Sequence, residues 1–133
     1  MARPRRRDVV LDASVILAVV FDEPGGELDD AVVRRSVVSA VNATEVDAKL
    51  LERGVPDGDI DAVWDALGVE IVPCARPTAR VAASLLSTYR SRGLSLGDAV
   101  CLATAHVHGL PVLTADRLWA QLPDLQMEVR LLR

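Results

Sequence analysis

Short β-branched runs alternate with longer amphipathic stretches along this chain. Val9-Val10-Leu11 is an apolar triplet that stops at Asp12 and reads as a first strand. A helix is expected from Ser14 to about Phe21, ended by Pro24-Gly25-Gly26. A second, short helix is expected over Glu27 to Arg34, and Val37-Val38 reads as the next strand. Asn42-Ala-Thr-Glu45 matches a capping box, which places Asn42 at the N-cap and Glu45 at the third position of a helix running through Val46, Leu50 and Leu51 to Gly54. Pro56-Asp57-Gly58 is a turn, and Ile60, Val63, Trp64 and Leu67 have helical spacing. Val69 to Val72 reads as a third strand, ended by Pro73. Residues 78–90 form a long helix with Val81, Leu85, Leu86 and Tyr89 on one side, and Gly93 breaks it. Leu94-Ser-Leu-Gly-Asp98 leads into the most apolar helix, Ala99 to His106, with Gly109 and Pro111 marking its end. Val112-Leu113 is a fourth strand, Arg117 to Gln121 a short helix, and Met127 to Leu132 a last strand.

Strands alternating with helices predict an α/β fold, a short and mostly parallel sheet covered by helices on both faces. There is no internal repeat, linker or low-complexity segment, so residues 1–133 read as a single domain, with 1–7 as a flexible basic arm.

Composition narrows what such a fold can do. Half of the residues are hydrophobic, but only 3% are aromatic, so the chain lacks the stacking platforms of RRM and OB-fold readers. The formal net charge is −4, and no basic footprint covers the chain as a whole. Positive charge is local: Arg3, Arg5, Arg6 and Arg7, then Arg34-Arg35, then Arg90 and Arg92. Cys74 and Cys101 lack CxxC spacing, which argues against a structural zinc or a disulfide framework, and Cys101 reads as a small core residue. The apolar run after the basic start is broken by Asp8 and Asp12, unlike a signal peptide, and no apolar stretch is long enough to cross a bilayer. A soluble, cytoplasmic protein is expected.

The candidate chemistry lies in carboxylates at the ends of elements. Asp12 directly follows the first strand and Asp116 the fourth, and ligands of open α/β sheets bind outside the carboxyl ends of strands. Glu45 and Asp98 fall near helix starts, which in this architecture lie on the same side. Each acid also has a purely structural reading, Asp12, Asp98 and Asp116 as N-caps and Glu45 as the partner of Asn42 in a capping box. Their combination, each bracketed by apolar residues, is the signal. Acids gathered in one cleft raise one another's pKa unless a cation intervenes, and Mg²⁺ or Mn²⁺ suits a set of oxygen ligands. Ser14 and Thr114 are placed to orient these acids, or to act as caps. The only lysine, Lys49, falls inside a helix and is not assigned to the site. His106 and His108 read as residues at a helix C-terminus. There is no P-loop, no Gly-x-Gly-x-x-Gly after the first strand, and no second Asp at position 14 for an aspartyl phosphatase.

Four segments together resemble the PIN-domain nucleases, and within them the VapC-like toxins of toxin–antitoxin pairs. They are Val10-Leu-Asp-Ala-Ser-Val15, Ser39-Ala-Val-Asn-Ala-Thr-Glu-Val46, Leu94-Ser-Leu-Gly-Asp-Ala-Val-Cys-Leu-Ala-Thr-Ala105 and Pro111-Val-Leu-Thr-Ala-Asp-Arg-Leu-Trp119. The resemblance implies a PIN-like three-layer fold and a metal-dependent endoribonuclease whose acids are Asp12, Glu45, Asp98 and Asp116. It makes Asp12 and Asp98 direct Mg²⁺ or Mn²⁺ ligands, with Glu45 and Asp116 completing the site and Ser14, Asn42 and Thr114 supporting it. It also implies an RNA substrate, a homodimer, and a small antitoxin covering the cleft, with Val15, Ile16 and Val19 as groove or core residues of the first helix. Two alternatives stay open at this point: a related nuclease acting on DNA or structured ends, and a non-catalytic regulatory subunit that holds a DNA-binding antitoxin.

Overall fold

The computed structural model describes residues 5–132. Five strands, β1 (Val9–Leu11), β2 (Ser36–Ser39), β3 (Glu70–Val72), β4 (Val112–Thr114) and β5 (Val129–Leu131), form one sheet in the order β3-β2-β1-β4-β5. Every neighbouring pair is parallel, where the sequence predicted a mostly parallel sheet. The chain moves outward from β1 to β3 on one side and returns to β4 and β5 on the other. Strand order therefore reverses between β1 and β4, with Val10 opposite Val112 and Leu11 opposite Leu113. A crevice opens at such a reversal, beyond the carboxyl ends of the strands.

Six helices cover the sheet: α1 (Ala13–Val20), α2 (Asp30–Arg34), α3 (Ala40–Glu52), α4 (Ile60–Leu67), α5 (Arg76–Tyr89) and α6 (Leu96–His108). The pleat of the strands sorts the core into two layers. Val9, Leu11 and Val38 point to one layer with Val15, Ile16, Val46, Leu50 and Trp64, and Val10 and Val37 point to the other with Tyr89, Leu102 and Trp119. β1 is buried at all three positions, as a central parallel strand requires. The edge strands are less covered, and Ile71 of β3 and Arg130 of β5 face solvent. In α6 every residue from Ala99 to Ala105 is buried, which explains the apolar run read from the sequence. Among the described residues no helix is long and apolar enough to cross a membrane.

Several boundaries differ from expectation, each for a local reason. α3 is capped by Ser39, whose Oγ accepts the Asn42 N–H at 3.0 Å. Asn42 is thus the third helical residue, not the cap, and Glu45 belongs to the second turn. β2 runs into α3 with no loop, so the last strand residue is itself the cap. α6 begins at Leu96 because Ser95 and Asp98 form a reciprocal capping box. α2 starts only at Asp30, where the Asp29 side chain accepts the Ala31 N–H. α5 starts at Arg76, with Pro77 in its first turn, where a missing N–H costs nothing. Residues 117–121 form a 3₁₀ turn.

The basic arm is not a loose terminus over its described part, and Arg3 lies outside the described residues. Arg5 donates to the carbonyls of Arg34 (2.7 Å) and Gly68. Arg7 pairs with Glu70, and Arg6 and Arg35 both bond Asp8, at 2.9 and 2.8 Å. These contacts tie residues 5–8 to the end of the sheet where β1 and β3 begin. That end is opposite to the one bearing Asp12.

Candidate active site

Asp12 occupies the junction between β1 and α1. It stands at the N-cap position, yet its side chain makes no capping hydrogen bond. Its Oδ2 instead accepts hydroxyl hydrogen bonds from Ser14 (2.7 Å) and Thr114 (2.9 Å). Asp12 is only 9% exposed. Burial pushes its pKa above the ordinary aspartate value, the two hydroxyls oppose that rise, and the nearby Asp98 charge adds to it. The cap reading therefore fails for Asp12, and a buried carboxylate held by two hydroxyls takes its place.

Thr114, the last residue of β4, is shared between two acids. It donates to Asp12 and accepts the Asp116 N–H at 3.0 Å. Asp116 caps the following 3₁₀ turn through Oδ1, which accepts the Leu118 N–H at 2.9 Å. Asp98 is held by α6, its Oδ2 accepting the Ser95 N–H at 3.1 Å. The N-cap reading is thus realised for Asp116 but not for Asp98, which is the third residue of α6 and closes a capping box on the true cap, Ser95; each acid engages a single oxygen.

Glu45 is fixed from a distance. Ser39 Oγ donates to Asn42 Oδ1 (2.6 Å), which orients the amide so that Asn42 Nδ2 donates to Glu45 Oε1 (2.7 Å) and to the Gly97 carbonyl (3.0 Å). Asn42 thereby ties α3 to the first turn of α6. A Cβ on Gly97 would lie 2.5 Å from Glu45 Oε1, so the absence of a side chain there lets the carboxylate lie against the backbone.

All four acids line one open cleft of ≈ 500 Å³, with Ser14, Leu17, Lys49 and Ala115 among its other walls. Beneath it, Cys101 is fully buried, and burial together with Asp12, Asp98 and Glu45 pushes its thiol well above the usual range. It stays a protonated core thiol, weakly bonded to the Leu11 carbonyl at 3.8 Å. A second groove of ≈ 400 Å³, between α5 and residues 124–127, is mostly apolar and gathers no acid set.

A family model described as the PIN domain matches residues 9–125. The chain belongs to the PIN-domain family. Ribonuclease VapC42 from Mycobacterium tuberculosis is 32% identical over 115 residues, covering 79% of this chain and 88% of that protein. The crystal structure of DNA-bound VapBC from Salmonella typhimurium is similar to this chain with a TM-score of 0.75 at 15% identity, covering 96% of this chain and 99% of the other. VapBC-5 from Mycobacterium tuberculosis, a member of the VapBC family of toxin–antitoxin systems, gives a TM-score of 0.61 at 27% identity and covers 98% and 99% of the two chains.

The donor chemistry of this PIN domain fits a hard divalent cation. Glu45, Asp98 and Asp116 each use one oxygen on a protein donor, which leaves Glu45 Oε2, Asp98 Oδ1 and Asp116 Oδ2 without one among the described residues. As the side chains stand, no three His, Cys, Asp or Glu groups among the described residues close around one point. That does not conflict with Mg²⁺, which keeps several waters and is held by one or two carboxylates.

Three site residues escaped the sequence reading. Ser39 orients Asn42, Gly97 seats Glu45, and Lys49, not assigned to the site from the sequence, lines the cleft. For Lys49 the signal was present, since four residues from Glu45 is the same helical face. One expectation for the first helix is also settled. Val15 and Ile16 are 0% and 1% exposed, so both pack in the core and cannot line a groove, whereas Val19 is half-buried.

Proposed function

We propose that this chain is a divalent-metal-dependent endoribonuclease, the toxin of a toxin–antitoxin pair. The observation that carries this reading is the meeting of Asp12, Glu45, Asp98 and Asp116 in one cleft at the strand-order reversal. Membership of the PIN-domain family and a relative named as a ribonuclease support it.

Asp12 and Asp98 would hold Mg²⁺ or Mn²⁺, and Glu45 and Asp116 would hold a second ion or orient the attacking water. The bound ion supplies polarisation of the phosphodiester and a more acidic water. The protein's own part is positional. Ser14 and Thr114 fix the rotation of Asp12. Asn42 and Gly97 fix Glu45. Thr114 keeps the Asp116 backbone at a set distance from Asp12. Burial raises the Asp12 pKa above the ordinary aspartate value, and a cation bound beside it would offset that cost of burying its charge. Arg117, beside Asp116, and Arg90 and Arg92, in the turn that joins α5 to α6, would draw in the RNA backbone. A cognate antitoxin is the expected protein partner, with a homodimer or toxin–antitoxin hetero-oligomer as the resting assembly.

The test is cleavage of a total-RNA pool and of a matched DNA strand by purified, antitoxin-free protein, with Mg²⁺, Mn²⁺ or EDTA. Discrete, metal-dependent cuts in RNA are expected. Cuts in DNA alone would replace this reading with a DNA nuclease. A folded protein that cuts neither strand and binds no metal would be a regulatory subunit.

A further inference from the structure

Lys49 lines the carboxylate cleft, and the hydrolytic assignment above makes no use of it. It stands four residues after Glu45 on α3, on the same face and about 6 Å farther along the axis. On α1, Leu17 lines the cleft one turn beyond Ala13 and Ser14. The cleft therefore continues away from the acids between these two helices, and Lys49 belongs to that continuation. Its Nζ lies 3.1 Å from Glu52 Oε2, but the two side chains are 43% and 69% exposed. Such a surface pair contributes little and is readily exchanged for another anion.

A polyanion entering this cleft meets four carboxylates and one ammonium. We propose that Lys49 is a positioning residue for substrate, taking the RNA phosphate next to the one cleaved and so setting the direction of the strand across the acids. The assignment rests on the nuclease reading above. A compact, flexible ammonium suits this role, since it binds phosphate as a point charge without demanding one geometry. Two other roles for Lys49 make different predictions. A purely structural partner of Glu52 would leave RNA binding untouched. A counter-charge to the acids would weaken cation binding, so its removal would tighten it.

The experiment compares Lys49→Met, Lys49→Arg and the unsubstituted chain in three measurements. These are binding of a short random-sequence single-stranded RNA in EDTA over a series of salt concentrations, steady-state cleavage of the same RNA with Mg²⁺, and Mn²⁺ affinity. In Lys49→Met the plot of log affinity against log salt should be less steep by about 0.7, the loss of one phosphate contact on a single strand. Its KM should rise roughly 2–5-fold, the scale of an exposed charge contact, with a smaller change in kcat and no change in Mn²⁺ affinity. Lys49→Arg should restore both slope and KM. An unchanged slope and KM in a folded Lys49→Met, while the unsubstituted chain cleaves RNA, would overturn the assignment and leave the nuclease reading standing. Tighter Mn²⁺ binding with an unchanged slope would overturn it in favour of the counter-charge. Failure of the unsubstituted chain to cleave RNA would remove the nuclease reading and this assignment with it.

Discussion

Replacing Gly97 with alanine probes whether the position of Glu45 matters to the chemistry. The added Cβ would lie 2.5 Å from Glu45 Oε1 and 3.1 Å from its Cδ, whereas ordinary contact begins at 3.4 Å. The carboxylate must therefore retreat by about 0.9 Å. The atom in the way is the tip of a flexible side chain, so the fold has an inexpensive response. Alanine also favours a helix over glycine by up to about 1 kcal/mol, which offsets part of the crowding cost of about 1–3 kcal/mol for a misfit in a packed site. Stability should change by less than about 2 kcal/mol. Activity should not escape so lightly, because a displacement near 1 Å of a reacting group costs on the order of 100-fold. The retreat also loosens the Asn42 Nδ2 bond to Glu45 Oε1, now 2.7 Å. The assay pairs thermal unfolding with the initial rate of metal-dependent RNA cleavage. A variant with near-native Tm and about 100-fold less activity is expected. Full activity from Gly97→Ala would refute the idea that Glu45 works from this seat.

Other substitutions test the remaining members. Asp98→Asn keeps an oxygen for the Ser95 N–H but removes the charge, so cleavage should fall by more than the roughly 10–100-fold that loss of a ligand's supporting hydrogen bond costs, with circular dichroism unchanged. Thr114→Val removes a hydroxyl that serves both Asp12 and the Asp116 N–H, which should cost about 1–3 kcal/mol in denaturant unfolding and weaken metal binding. The folded-state pKa of Asp12 lies above its unfolded value. Its favourable contribution is thus complete below the unfolded pKa and is lost as pH rises through the folded one. Asp12→Asn, which can still accept from Ser14 and Thr114, should therefore raise the Tm of metal-free protein at pH 7 while abolishing stabilisation by Mg²⁺. Thermal scans with and without the ion check both signs.

The layered sheet was legible in the sequence because its strands are short apolar runs and its helices carry a 3.6-residue period. Val9-Val10-Leu11 and the run from Ala99 to Ala105 are buried on every side, and nothing else accommodates such stretches. Three of the acids, Asp12, Asp98 and Asp116, were legible because they stand at or near the passage from one element to the next, whereas Glu45, in the second turn of α3, was legible only from its spacing to Asn42 and from the family resemblance. The start of α3 was not, since two capping patterns overlap there. Ser39 and Asn42 are both good caps, and only the extension of β2 through Ser39 decides between them. Arg5 and Arg7 read as part of a solvated run because their partners Gly68 and Glu70 lie over sixty residues away. For Lys49 the spacing of four residues from Glu45 was readable, but that Leu17 and α1 form the opposite wall of the cleft is a tertiary fact that no window of sequence contains.

The central claim is that these carboxylates hold a divalent ion that RNA cleavage requires. It is met most directly by titrating Mn²⁺ calorimetrically into the purified chain and into Asp12→Asn/Asp98→Asn, with RNA cleavage followed on the same samples. Measurable Mn²⁺ binding and cleavage in the unsubstituted chain, both lost in a folded double variant, is the predicted result. Cleavage that persists in EDTA, or Mn²⁺ binding that survives the double substitution unchanged, would contradict it.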